Sequence, residues 1–119
     1  MAGKILVVDD QASMGWILTK VLSEASFAVE TAASGREALA SVAMGEIAAA
    51  IIDYRLPDMN GFQLWERIKQ ANARIPAILI TSYGSKALQQ KALGEGFGAY
   101  FDKPFRNEAL VEALRKILM

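Results

Sequence analysis

A parallel α/β sheet covered by helices on both faces is the fold class this sequence predicts, and three observations predict it. Short apolar runs alternate with helical patterns five times along the chain. The first run, Ile5-Leu6-Val7-Val8, is continuous rather than alternating, as in a central parallel strand buried on both faces. No repeat, linker or low-complexity tract interrupts the series, and 119 residues are enough for one domain with a real core, expected to span 1–119.

Each element follows in order. Ile5–Val8 is the first strand. Met14, Ile17, Leu18, Val21, Leu22 and Ala25 recur at helical spacing and define the first helix. Trp16 falls off that apolar stripe, which predicts partial exposure. Phe27–Ala32 reads as a second strand. Ser34 reads as the N-cap of the next helix, with Glu37 placed to complete a capping box. Ile47–Ile52 is the third strand and ends at Asp53. In "RLPDMNGF", Pro57, Asp58, Asn60 and Gly61 predict a loop, and Leu64, Trp65 and Ile68 mark the helix after it. Ile75–Ile80 is the fourth strand, running into Thr81 and Ser82. Ser85 to Glu95 carries a weaker helical pattern, broken by Gly94, Gly96 and Gly98. Ala99–Phe101 is a short fifth strand, and Asn107–Leu118 a final amphipathic helix.

Composition narrows the chemistry. Lys plus Arg and Asp plus Glu number 13 each, so no net basic field points to nucleic acid or an anionic membrane. No apolar run approaches a membrane span, and "MAGK" leads directly into the first strand, so neither a membrane segment nor a signal peptide is expected and a cytoplasmic location is the default. With no Cys there is no disulfide, thiolate metal site or cysteine nucleophile. With no His there is no Ser-His-Asp triad and no imidazole ligand. Carboxylates, Lys, hydroxyls and hard divalent metals remain.

In such a sheet, ligands bind beyond the carboxyl ends of the strands, where the strand order reverses. The polar residues at those ends are Asp9 and Asp10, Asp53, Thr81 with Ser82, and Lys103. Two adjacent carboxylates at the end of a buried strand repel, and desolvation raises that cost, so the pair points to a cation. Carboxylate oxygens without His or Cys suit Mg²⁺, and one carboxylate could act as a nucleophile toward phosphorus. Phosphoryl transfer needs positioning and charge neutralisation, which Mg²⁺, Lys103 and the Thr81 hydroxyl could share among the phosphoryl oxygens.

"VVDD", "DYRLPDMNG", "ITS" and "YFDKPF", in this order over the whole chain, resemble the receiver domain of bacterial response regulators. The resemblance implies a flavodoxin-like (βα)5 sandwich with strand order 2-1-3-4-5. It implies phosphorylation at Asp53, and Mg²⁺ held by Asp9, Asp10, Asp53 and the Arg55 main-chain carbonyl. Thr81 becomes the hydroxyl residue, Lys103 the phosphoryl-binding lysine, with a cis bond to Pro104, and Tyr100 the aromatic switch. Arg55, Ser82 and Tyr83 occupy positions that tune the life of the phosphoryl group. Gln11 stands where a further acidic or polar residue is frequent.

The resemblance also implies a phosphorylation-operated switch in a two-component phosphorelay rather than a turnover enzyme. Its partner would be a histidine kinase or phosphotransfer protein, with a small acyl phosphate as an alternative donor, because the chain has no His of its own. Trp16 on the first helix would belong to the kinase contact. Output would leave through the face made by the fourth helix, fifth strand and last helix, to an effector domain or in a homodimer, with no direct nucleic-acid binding by this domain. "DYRLPDMNG" and "ITSYGS" resemble receivers of enhancer-dependent transcription activators, and with "KILM" ending the last helix the expectation is either a stand-alone receiver or the excised N-terminal piece of a transcription factor. An Mg²⁺-dependent phosphohydrolase with an Asp nucleophile is the competing class, but it calls for D-x-D where this chain has adjacent Asp. An FMN site would want a Ser/Thr/Gly-rich loop in place of "DDQASMG", and a P-loop is absent.

Overall fold

The computed structural model describes residues 3–119; Met1 and Ala2, the start of the "MAGK" opening, lie outside the described residues. Ten elements alternate: β1 Lys4–Val8, α1 Ala12–Glu24, β2 Val29–Ala32, α2 Gly35–Met44, β3 Ile47–Asp53, α3 Gly61–Ala71, β4 Ala77–Thr81, α4 Lys86–Gly94, β5 Ala99–Asp102 and α5 Asn107–Ile117. The strands form one parallel sheet in the order β2-β1-β3-β4-β5. This is the flavodoxin-like order, and its reversal falls between β1 and β3, where a crevice opens at the strand ends.

Strand alternation divides the interior into two cores. Leu6, Val8, Ala50, Ile52 and Leu79 face one side, where Ala38 and Val42 of α2, Leu64, Trp65 and Ile68 of α3 and Ala92 of α4 cover them. Ile5, Val7, Ala49, Ile51, Ile78 and Ile80 face the other, under Leu18 and Leu22 of α1 and Leu110 and Leu114 of α5. Both faces of the central strands are therefore buried, which is why their sequences read as continuous apolar runs. Each Leu or Ile taken fully out of water contributes about 1.5–3 kcal/mol, offset by the entropy of ordering it.

Several boundaries differ from the sequence expectation, each for a local reason. The second strand begins at Val29 rather than Phe27, because the Phe27 N–H is used by the Leu22 carbonyl at the end of α1, at 2.9 Å, with Ser26 at φ 74°. The fourth begins after Pro76, which has no N–H for the ladder, and runs on to Thr81. The fifth extends to Asp102, and the last helix stops at Ile117. Ile17, placed on the apolar stripe of α1, is 40% exposed. Trp16 is 68% exposed, as its position off that stripe predicts.

Caps are partly legible in the sequence. Ser34 Oγ accepts from Glu37 N–H at 3.1 Å, but the Glu37 carboxylate reaches past the cap to Ala33 N–H at 2.9 Å, so the expected box is not closed at Ser34. A full box occurs instead at Asn60 and Gln63, inside the stretch expected to be loop. Gly61 consequently opens α3, and its N–H donates to the Tyr54 carbonyl at 2.7 Å. A Cβ there would come within 2.8 Å of Leu79 and 3.0 Å of the Asp53 carbonyl, so glycine is what lets α3 start hard against the end of β3. Gly94, expected to break the fourth helix, is its last residue.

Candidate functional site

Register aligns the strand ends. Val8 pairs with Ile52, so Asp9 emerges level with Asp53; Asp53 pairs with Ile80, and Thr81 with Asp102. Asp9, Asp10, Asp53, Thr81 and Lys103 thus come from the ends of four different strands to one edge of the sheet. Oxygens of Asp9, Asp10 and Asp53 lie within 4.8 Å of one another.

The adjacent acids divide their roles. Asp9 is buried, its Oδ1 accepting from Gln11 N–H at 2.9 Å and its Oδ2 from Lys103 Nζ at 2.7 Å. Asp10 is exposed and faces a cleft of about 220 Å³, lined also by Gln11, Asp53, Arg55, Ser82, Tyr83 and Lys103. Lys103 precedes a cis bond to Pro104, and only 8% of its side chain is exposed. Its ammonium lies 3.5 Å from Asp53 Oδ1 and also donates to Gln11 Oε1 at 3.3 Å. Gln11, the residue after the acidic pair, is therefore part of the Lys103 cradle.

One ammonium does not balance three carboxylates. Burial, and then the Asp9 charge, push the Asp53 carboxyl up from an ordinary 3.8 to about 6, although Lys103 opposes the shift. A carboxylate raised in this way is one whose surroundings still favour an added positive charge. The donor set is all oxygen, with no His or Cys in the chain, so the residues fit a hard divalent cation such as Mg²⁺.

Thr81 and Tyr100 stand outside the lining of this cleft. Thr81 is buried and its Oγ1 accepts from Tyr83 N–H at 3.0 Å. Tyr100 is half-buried rather than freely exposed, its ring packed against the α2–α4 core and its hydroxyl donating to Asp102 Oδ1 at 2.9 Å. Arg55 stacks over the exposed Tyr83 ring, 4.2 Å from its centroid, at the mouth of the cleft. The loop after β3 is tied down from outside the site by Asp58, whose carboxylate accepts from Gly35 and Arg36 N–H at the start of α2, both at 2.9 Å. In the sequence Asp58 reads only as a loop former; its spacing offers no signal that it reaches the first turn of α2.

Comparison with known proteins decides between readings of this cluster. The sequence profile of the response regulator receiver domain matches residues 5–115. The chain belongs to this family. Among curated relatives, the receiver domain is 34% identical over 115 residues to the transcriptional regulatory protein CusR of Escherichia coli, covering 97% of this chain and 51% of that one. It is 32% identical to the transcriptional regulatory protein TcrA of Mycobacterium tuberculosis, covering 96% and 45%. Sporulation initiation phosphotransferase F of Bacillus subtilis is 30% identical over 99% of this chain and 95% of its own. The chain thus spans about half the length of the first two. Among solved structures, a CheY-like receiver domain from Methanospirillum hungatei superposes with a TM-score of 0.91 at 30% identity, over 99% of this chain and 94% of that one.

The chain is a receiver domain of a two-component phosphorelay. Its acidic triad of Asp9, Asp10 and Asp53 is typical of the receiver Mg²⁺ site. Some of its homologues are parts of larger transcription regulators. Among the described residues, no helix is long and apolar enough to cross a membrane.

Proposed function

We propose that Asp53 is the phosphoacceptor of this receiver and that the cleft around it is the transfer site. The observation that carries the reading is the meeting of three carboxylates and one buried ammonium at the topological switch point. In the transfer, an Asp53 carboxylate oxygen forms a bond to phosphorus as the phosphorus–nitrogen bond of a donor phosphohistidine breaks, and the imidazole leaves. The donor is a histidine kinase or phosphotransfer domain outside these 119 residues, which contain no His.

Asp9, Asp10, Asp53 and the Arg55 main-chain carbonyl would hold Mg²⁺, which when bound offsets the carboxylate repulsion and the charge of the phosphoryl oxygens. Lys103, already 3.5 Å from Asp53, binds a phosphoryl oxygen with its ammonium. Thr81 gives its hydroxyl to the phosphoryl group, releasing the bond it accepts from Tyr83 N–H. Ser82 leaves the approach open by its size, while the Arg55–Tyr83 stack limits the access of water.

Phosphorylated Asp53 carries more charge and more acceptor oxygens, and drawing in Thr81 makes room toward which Tyr100 rotates. The readout is the α4–β5–α5 face, contacting an attached effector domain of a transcription regulator or a second copy. The packing of α4 supports this, because Ala92 is its one buried residue and Leu93 is 50% exposed, so little apolar burial resists its movement. Trp16, exposed on α1, serves the kinase contact.

Incubation with acetyl phosphate and Mg²⁺ should give one acid-stable, base-labile phosphoryl group per chain. Asp53→Ala should accumulate none, and normal labelling of that variant refutes the assignment.

A further inference from the structure

The β4 and β5 register places Leu79 beside Tyr100 and Thr81 beside Asp102, so Tyr100, Asp102 and Thr81 all present their side chains to the sheet face under α4. Two residues apart on one face, Tyr100 and Asp102 are joined by the phenol, which donates to Asp102 Oδ1 at 2.9 Å. The loop after β4 closes over this pair at Gly84. A Cβ on Gly84 would overlap both the Asp102 carboxylate and the Tyr100 hydroxyl. The bonded arrangement is therefore available only because residue 84 has no side chain.

We propose that Asp102 is a positioning residue that latches Tyr100 against rotation toward Thr81, in a slot that Gly84 keeps open. The inference rests on the switching role proposed for Tyr100 and adds what holds the ring before switching. Rotation has to break the phenol–carboxylate bond, so the bond weights the equilibrium toward the arrangement seen here. A mimic of the phosphoryl group must work against that weight, and its apparent affinity is lowered by the same factor. A positioning carboxylate beside Thr81 also explains a sequence feature left without a role, the Asp that separates Phe101 from Lys103.

The test uses the full chain with Mg²⁺, beryllofluoride as the phosphoryl mimic and side-chain NMR of Tyr100. In Asp102→Ala without beryllofluoride, the Tyr100 ring signals should move toward their positions in beryllofluoride-bound wild type. The apparent beryllofluoride affinity should rise about 2- to 5-fold, the lower part of the range for one net hydrogen bond, because this bond is exposed. Asp102→Asn removes the same charge but keeps an acceptor oxygen, so its rise should be smaller. Tyr100→Phe should also raise affinity, and the double variant Tyr100→Phe/Asp102→Ala should gain no more than the larger single effect, since both remove one bond. Gly84→Ala should shift affinity in the same direction by crowding the slot.

Equal rises in Asp102→Ala and Asp102→Asn, with the Tyr100 signals unmoved, would mean that the carboxylate acts only through charge, and the latch is then wrong. Additive effects in the double variant overturn it equally. If Tyr100 in wild type ignores beryllofluoride that demonstrably binds, the rotation itself fails and the latch with it, while phosphorylation at Asp53 stands.

Discussion

Replacing Asp53 by asparagine tests whether the carboxylate cluster is held together at a cost. The Asp53 carboxyl is raised from 3.8 to about 6, chiefly by burial and then by the charge of Asp9. A displacement of about 2 pH units at about 1.4 kcal/mol each makes ionised Asp53 roughly 3 kcal/mol less favourable in the folded chain than in the unfolded one. The sign follows from which state holds the proton more tightly. Below about pH 4 Asp53 is protonated in both states and costs nothing. As pH rises through 6 the unfolded chain releases its proton first, so wild-type stability falls and levels off above that value. The carboxamide of the Asp53→Asn variant has no proton to release.

Urea unfolding of both proteins in a chelator, at intervals from pH 4 to pH 7, measures the difference. The stability of Asp53→Asn minus that of wild type should widen by up to about 3 kcal/mol across this range. The attraction of Lys103, 3.5 Å away, grows as Asp53 ionises and is already contained in the net rise to about 6, so the widening reads the sum of burial, Asp9 and Lys103. Adding Mg²⁺ at pH 7 should stabilise wild type more than the variant, because the ion binds the folded carboxylates. A gap that stays constant with pH refutes the argument that Asp53 is destabilised by its surroundings.

Three further outcomes are expected. Lys103→Met leaves three converging carboxylates without their ammonium and Asp9 Oδ2 without a donor, so unfolding in chelator at pH 7 should show a loss of about 3–5 kcal/mol, part of it restored by Mg²⁺. Arg55→Ala and Tyr83→Ala each remove the stack over the cleft mouth; both should shorten the phosphoryl lifetime on Asp53 in a dephosphorylation time course, and the double variant should be no shorter than the faster single one. Asp58, held below the usual carboxylate range by the N–H groups of Gly35 and then Arg36, contributes stability that is present above its unfolded pKa and lost as pH falls through the folded one. Asp58→Ala should therefore unfold more readily than wild type at pH 7, with the two converging in acid titrations followed by circular dichroism.

The sequence by itself determined the class of fold and which polar residues stand at the ends of its strands. Short β-branched runs such as Ile5–Val8 read as strands buried on both faces, and polar residues stopping such runs at Asp9, Asp53 and Thr81 mark strand ends in a sheet where ends are the binding edge. Local chemistry is less legible where a backbone group has two candidate partners. Phe27, expected in a strand, gives its N–H to the end of α1, and Glu37, expected to bond at Ser34, bonds at Ala33. Both choices depend on how the chain enters or leaves a helix, which composition does not encode.

Only the tertiary structure decided how the charges are shared. Sequence spacing treats Asp9 and Asp10 as a pair, yet the fold buries one against Lys103 and turns the other to the cleft. Lys103 is 94 residues from Asp9, and a contact of that separation is set by the β1-β3-β4-β5 order rather than by any local pattern. The same holds for Asp58 on the start of α2, Arg55 over Tyr83, and Gly84 over Tyr100 and Asp102. Local propensity acts over a few residues, whereas these contacts arise where separate loops are carried to one edge of the sheet, so their existence waits on the packing of the whole chain.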